Sequence, residues 1–179
     1  MMTDLISAVR RGVQTARRAA IAVPFVVALA SPALRAQESG LPIGTKAPDA
    51  LLETLDGTAA TLAPVIAGKP AVIEFWATWC PNCRELEPTM VAAQKKHGAH
   101  VTFVGVAVSV NQSPERVRRY TAEHLLGFTH FYDRRGNAVE AYDVPATSHV
   151  VVLDKTGKIV YTGVGGTQDI EAAIQKALK

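Results

Sequence analysis

Two apolar runs dominate the middle of the chain: residues 71–76, Ala-Val-Ile-Glu-Phe-Trp, and residues 101–108, Val-Thr-Phe-Val-Gly-Val-Ala-Val. Neither alternates, both are short, and both are rich in β-branched and aromatic residues, which predicts strands buried on two faces. Between them a helix is predicted from Pro81 to about His97, stopping at Gly98. Pro81 suits the first turn and Pro88 predicts a kink. Ser113-Pro114 opens a second helix, with Ser as N-cap, reaching about Leu126 with Val117, Tyr120 and Leu125 on one side. Residues 51–55 and 58–62 flank Asp56-Gly57 and predict a small hairpin. Gly68-Lys69-Pro70 punctuates before the first central strand. Downstream come a short strand at 128–132, a turn at 133–136 and one helical turn at 138–142. A hairpin then pairs 148–153 with 158–162 through Asp154-Lys155-Thr156-Gly157, and a last helix capped by Thr167 ends near Leu178. The order βαβα then ββα predicts an α/β fold: a mixed central sheet with helices on both faces, plus the N-terminal hairpin.

The first 36 residues read differently. Arg10, Arg11, Arg17, Arg18 and Arg35 stand against Asp4 alone, followed from residue 19 to 30 by a twelve-residue apolar stretch and then small residues. That is the layout of an export signal, with cleavage expected after Ala36 or Ala30; the stretch is short for a membrane span, so membrane attachment is expected only if the segment is retained. Residues 37–46, with Gly40, Pro42 and Gly44, form a leader, and residues 47–179 the domain. The +4 of the first 36 residues exceeds the +3 of the whole chain, leaving residues 37–179 at −1 and no reason to expect a nucleic-acid partner.

The chain has two cysteines, Cys80 and Cys83, at the junction of the first central strand and its helix. A bridge there closes a loop of about four residues and stabilises little, because cross-linking entropy grows with loop length. Two residues of spacing suit a dithiol that opens and closes, and a cysteine at a helix N-terminus has its thiolate favoured by unpaired N–H groups and the helix dipole. The thiolate is the nucleophile of disulfide exchange. Glu74 interrupts the buried strand six residues earlier; a carboxyl there is costly to ionise, so its pKa is expected to rise and it becomes the candidate proton acceptor for Cys83.

Gly44-Thr45-Lys46-Ala47-Pro48-Asp49, then Phe75-Trp76-Ala77-Thr78-Trp79-Cys80-Pro81-Asn82-Cys83-Arg84, Pro88, and Val144-Pro145 before the terminal hairpin carry a family likeness over about residues 41–179. The chain resembles the thioredoxin superfamily, and within it the exported TlpA/ResA-like thiol–disulfide oxidoreductases. The resemblance implies a thioredoxin-like fold, an enzyme needing no cofactor beyond its own Cys80–Cys83 disulfide, Cys80 as the more exposed nucleophile and Cys83 as the buried resolving thiol. It implies a cis peptide before Pro145 beside the disulfide, Val144 pairing with an extended substrate, and Trp79 and Pro81 at the contact surface. Partners implied are disulfide-containing proteins such as apocytochrome c or metal-centre assembly proteins, with a membrane thiol transporter as electron donor. Two departures stand out: Pro145-Ala146-Thr147-Ser148-His149 brings a histidine into the strand, and Glu74 stands where relatives often carry Asp or Asn.

No pair among His97, His100, His124, His130 and His149 has a metal spacing, so no metal site is expected. His149 is the exception to follow, as a tuning group or as a ligand in the alternative reading, a copper-handling protein using both thiols. A thiol peroxidase lacks its Pro-x-x-x-Thr-x-x-Cys setting, and haem attachment fails because Arg84 follows Cys83. Arg116, Arg118 and Arg119 read as a solvated helix face.

Overall fold

The computed structural model describes residues 40–124 and 126–179. The expected export segment, residues 1–36, and Leu125 lie outside these. Seven strands form one mixed sheet: β1 (Leu51–Thr54), β2 (Ala59–Thr61), β3 (Ala71–Trp76), β4 (Thr102–Val108), β5 (Thr129–Asp133), β6 (His149–Leu153) and β7 (Ile159–Val164), in the spatial order β2-β1-β5-β4-β3-β6-β7. The helices are α1 (Ala63–Ile66), α2 (Pro81–His97), α3 (Pro114–Glu123), α4 (Asn137–Ala141) and α5 (Ile170–Ala177). Strands β3, β4 and β5 run parallel; β1 and β6 are antiparallel to their neighbours β5 and β3.

The unalternating runs are where the sequence pattern places them. All six residues of β3 are buried, because helices cover both faces of the sheet. Ala71, Ile73 and Phe75 join Val104, Val106, Val151 and Leu153 in a core closed by Tyr142 and Leu62. Val72, on the opposite face, packs with Leu86 and Met90 of α2 and Ile170 and Ile174 of α5. Full burial of such side chains contributes about 1.5–3 kcal/mol each, so this two-sided packing fixes β3 firmly and, with it, the loop that follows.

Local expectations held at the hairpin, at the start of α3, where Ser113 Oγ accepts from Arg116 N–H at 3.3 Å, and at the termini of α2. Other assignments differ. Helix α3 stops at Glu123, three residues short of Leu126. Asp169, not Thr167, caps α5, which begins at Ile170; the Asp169 side chain accepts from Ala172 N–H at 2.9 Å. Helix α1, four residues long, was not anticipated, since a single turn leaves no periodicity to read. Within the leader, Gly44 N–H donates to the Ile159 carbonyl at 2.7 Å and Ile159 N–H to the Thr45 carbonyl at 2.9 Å, binding it to the edge of β7.

Gly105 of β4 pairs with Glu74 on one side and His130 on the other. A Cβ at Gly105 would collide with His130 Nδ1 and come within 2.9 Å of Trp76 Nε1. The imidazole therefore occupies the space the glycine leaves. Gly105→Ala is expected to cost about 2–3 kcal/mol by overpacking, measured by urea unfolding, with His130→Ala in the same background recovering part of the loss; a cost below about 0.5 kcal/mol would contradict this packing.

Candidate active site

Cys80 is the N-cap of α2 and is disulfide-bonded to Cys83, with Cα atoms 5.3 Å apart. Its Sγ accepts a hydrogen bond from Cys83 N–H at 3.1 Å. A side chain in that position takes one of the helix's unpaired N–H donors. The same donor and the positive helix end stabilise negative charge on Cys80 once the disulfide is reduced.

The expectation that Cys80 is the more exposed sulfur is not met in the disulfide state. Cys80 is 3% exposed and Cys83 4%. Both pack with Trp76, Ala77, Ala107 and Val108 at the C-terminal ends of β3 and β4, which occludes the outer sulfur as well as the inner one.

The loop that carries Cys80 is strapped to the segment between β4 and α3. Thr78 N–H donates to Gln112 Oε1 at 2.9 Å, and Trp79 Nε1 donates to the Val110 carbonyl at 2.7 Å. Gln112 is itself held: its side chain donates to the Val108 carbonyl at 2.5 Å, and its carbonyl accepts from Tyr132 Oη at 2.7 Å. Trp79 is 37% exposed beside the 58% exposed Val110, so these two present an apolar surface next to the disulfide loop. Pro81 is exposed at the first position of α2.

Glu74 and Cys83 line one narrow cavity with Trp76, Glu87, Met90 and Tyr120. Its volume, about 10 Å³, is on the scale of a single water molecule. Burial first, and the neighbouring Glu87 second, push the Glu74 carboxyl up to about 8. The proton affinity thereby approaches that of an ordinary thiol, near 8.5. The sequence expectation for Glu74 and the structure agree in direction.

Pro145 is a correction. It is exposed, and three residues separate it from the start of β6 at His149. The residue directly before β6 is the buried Ser148, with φ 63°. Its hydroxyl accepts from Gly165 N–H at 3.0 Å and its carbonyl from Gln168 Nε2 at 2.9 Å, which hold this left-handed conformation in place. The residue that leads directly into β6 is therefore Ser148, and the expected Val144-Pro145 pair lies outside the strand. Val144 packs on the core face with Tyr142, away from the cluster that holds the sulfurs, and its N–H is already given to the Val139 carbonyl at 3.0 Å.

His149 is fully buried, 5.9 Å from Phe75 ring to ring, on the face of the sheet opposite Trp76 and the cysteines. Among the described residues neither of its ring nitrogens has a hydrogen-bond partner, and burial lowers its pKa to about 4. That placement removes it from the sulfurs and from the copper reading. Among the described residues no three His, Cys, Asp or Glu side chains gather as a metal-binding group. His130, also buried and with neither nitrogen partnered among the described residues, is lowered to about 4 by burial.

Sequence reasoning missed Gln112, Glu87, Tyr120 and His130 as neighbours of the site. Only Glu87 carried a signal: it lies four residues after Cys83 on one helix, hence on the same face.

Residues 42–178 match the family described as redoxin. The thioredoxin-like protein YneN of Bacillus subtilis is 33% identical over 130 residues, covering 72% of this chain and 75% of that one. The thiol-disulfide oxidoreductase ResA of Geobacillus kaustophilus is 28% identical over 144 residues, covering 78% and 80%. A crystal structure of a putative thiol:disulfide interchange protein DsbE from Chlorobium tepidum superposes with a TM-score of 0.69 at 28% identity, over 78% of this chain and 99% of that one.

The buried titrating groups give stability a pH dependence of two signs. Glu74 is raised in the folded state, so its contribution is whole below about pH 4.5 and is lost as pH rises through about 8. His130 and His149 are lowered, so theirs is whole above about 6.5 and is lost as pH falls through about 4. Glu74→Gln, measured in the disulfide form by thermal unfolding, is expected to be near neutral at pH 4.5 and stabilising at pH 9, with a ceiling on the order of 4–5 kcal/mol. A difference that does not change with pH would show that Glu74 titrates normally.

Proposed function

We propose, for a chain that belongs to the redoxin family and is a ResA-like, thioredoxin-fold thiol–disulfide oxidoreductase, that Cys80 exchanges with partner disulfides, Cys83 resolves the mixed disulfide, and Glu74 carries the proton of Cys83. The observation that bears most weight is the pairing of Cys80 at the N-cap of α2 with Cys83 on the wall of the Glu74 cavity.

In the reduced protein the Cys80 thiolate attacks one sulfur of a partner disulfide. The partner's S–S bond breaks, a mixed disulfide forms, and one partner sulfur leaves as thiolate. Cys83 then gives its thiol proton to the Glu74 carboxylate and attacks Cys80 Sγ. The mixed disulfide breaks, the second partner sulfur leaves, and the protein holds the Cys80–Cys83 disulfide: two electrons have passed to the partner. Run backwards, protonated Glu74 supplies the proton to Cys83 as an incoming thiolate opens the disulfide. A carboxyl near 8 serves both directions around neutral pH.

The reading extends to an exported protein that acts as a reductant, on the basic and apolar pattern of residues 1–36. Its substrates are disulfides in proteins such as apocytochrome c or metal-centre assembly proteins, and a membrane thiol transporter returns its electrons. Trp79 and Val110 offer such partners an apolar contact.

Cys83→Ser, expressed in cells, is expected to accumulate mixed disulfides with partner proteins on Cys80, visible as reductant-sensitive bands on non-reducing gels; Cys80→Ser is expected to accumulate none. Trapping by Cys80→Ser but not by Cys83→Ser would reverse the two roles.

A further inference from the structure

Glu87 lies one helical turn beyond Cys83 on α2 and reaches the same cavity as Glu74. Both of its oxygens are held by α3: Tyr120 Oη donates to Oε2 at 2.9 Å and His124 Nδ1 donates to Oε1 at 2.8 Å. The two donors stack on each other, ring centroids 3.8 Å apart and planes within 14°. The Glu87 side chain is 20% exposed and that of His124 36%, so this cluster spans from the cavity to the surface. A carboxylate fixed by two donors, with one end at a water-sized space shared by a second carboxyl and a thiol, is more than a solvated helix charge.

We infer that Glu87, oriented by Tyr120 and His124, is a positioning residue that sets the proton affinity of Glu74 and passes its proton to the surface. This rests on the reading of Glu74 as the carrier of the Cys83 proton. The transfer balances simply: the proton that leaves Cys83 Sγ sits on Glu74, moves across the cavity to a Glu87 oxygen, and is released to solvent at the exposed edge beside His124. No electrons move in these steps. Two carboxyls on one small cavity cannot both ionise cheaply, so charge on Glu87 keeps a proton on Glu74 until Glu87 can take it. The other groups around Glu74 are Cys83 of α2, Tyr120 of α3, which Arg84 of α2 also faces, and, across Gly105, His130 of β5. His130 is neutral near pH 7 because burial lowers it to about 4, and the β6 residue paired with Glu74, Val150, carries no charge.

The test follows the Glu74 carboxyl in the disulfide form by ¹³C NMR of glutamate-labelled protein, beside the pH profile of oxidised-glutathione reduction. Glu87→Gln, and equally Glu87→Ala, is expected to move the Glu74 midpoint and the matching limb of the profile down by about half a pH unit or more, a threefold or greater fall in proton affinity. Glu85→Gln is the control: it removes the same charge two residues away, where the side chain packs against Gly166 instead of the cavity, and should leave both where they are. An unmoved midpoint in both Glu87 variants, or an equal displacement in Glu85→Gln, overturns the inference while the role of Glu74 stands. Persistence of the limb in Glu74→Gln overturns the role of Glu74 and this inference with it.

Discussion

One hydrogen bond organises the chemistry of this domain: Cys83 N–H to Cys80 Sγ, the N-cap bond of the active-site helix. It exists because β3, buried on both faces, delivers the chain to the start of α2 at a fixed place and angle. A helix beginning there leaves N–H groups that need an acceptor, and the first acceptor available is a sulfur. Capping the helix and stabilising a thiolate are the same interaction seen from its two ends. The fold's stability and the reactivity of Cys80 are therefore not separable properties.

The second constraint is the neighbourhood of Cys83. A carboxyl placed inside an apolar strand would destabilise a domain with no use for it. Here Glu74 opens onto a cavity shared with the sulfur, and burial together with Glu87 tunes it to the range of thiol chemistry. On the opposite face of the sheet His149 packs against Phe75, with neither ring nitrogen partnered among the described residues. The sheet thus separates a reactive face from an inert one, and the alternation of Glu74 and Trp76 with Phe75 along β3 is what draws the line.

Much of this was legible in the residues themselves. The runs at 71–76 and 101–108 could only be buried strands, the cysteine spacing is short-range, and Glu74 stands out because nothing else polar shares its strand. What could not be read depends on contacts between distant segments. Glu87 meets Tyr120 and His124 only because α3 packs beside α2, and Gln112 braces Thr78 across 34 positions of sequence. The surroundings of Pro145 have a different origin: it is exposed before β6, and the turn into that strand has its left-handed residue at Ser148, held by bonds to Gly165 and Gln168 that no local pattern announces. The cap of α5 is Asp169 rather than Thr167 because the helix starts two residues later, at Ile170, and both residue types are acceptable caps by pattern.

Helix capping by sulfur makes a direct prediction about acidity. Thiolate absorbance of the fully reduced protein, followed between pH 4 and 10 with Cys83→Ser to isolate the outer sulfur, reports the ionisation of Cys80. A midpoint at least one unit below the ordinary thiol value of about 8.5 is the expected result. A midpoint at or above that value would show that the helix terminus does not activate Cys80, and the account of this site would fail.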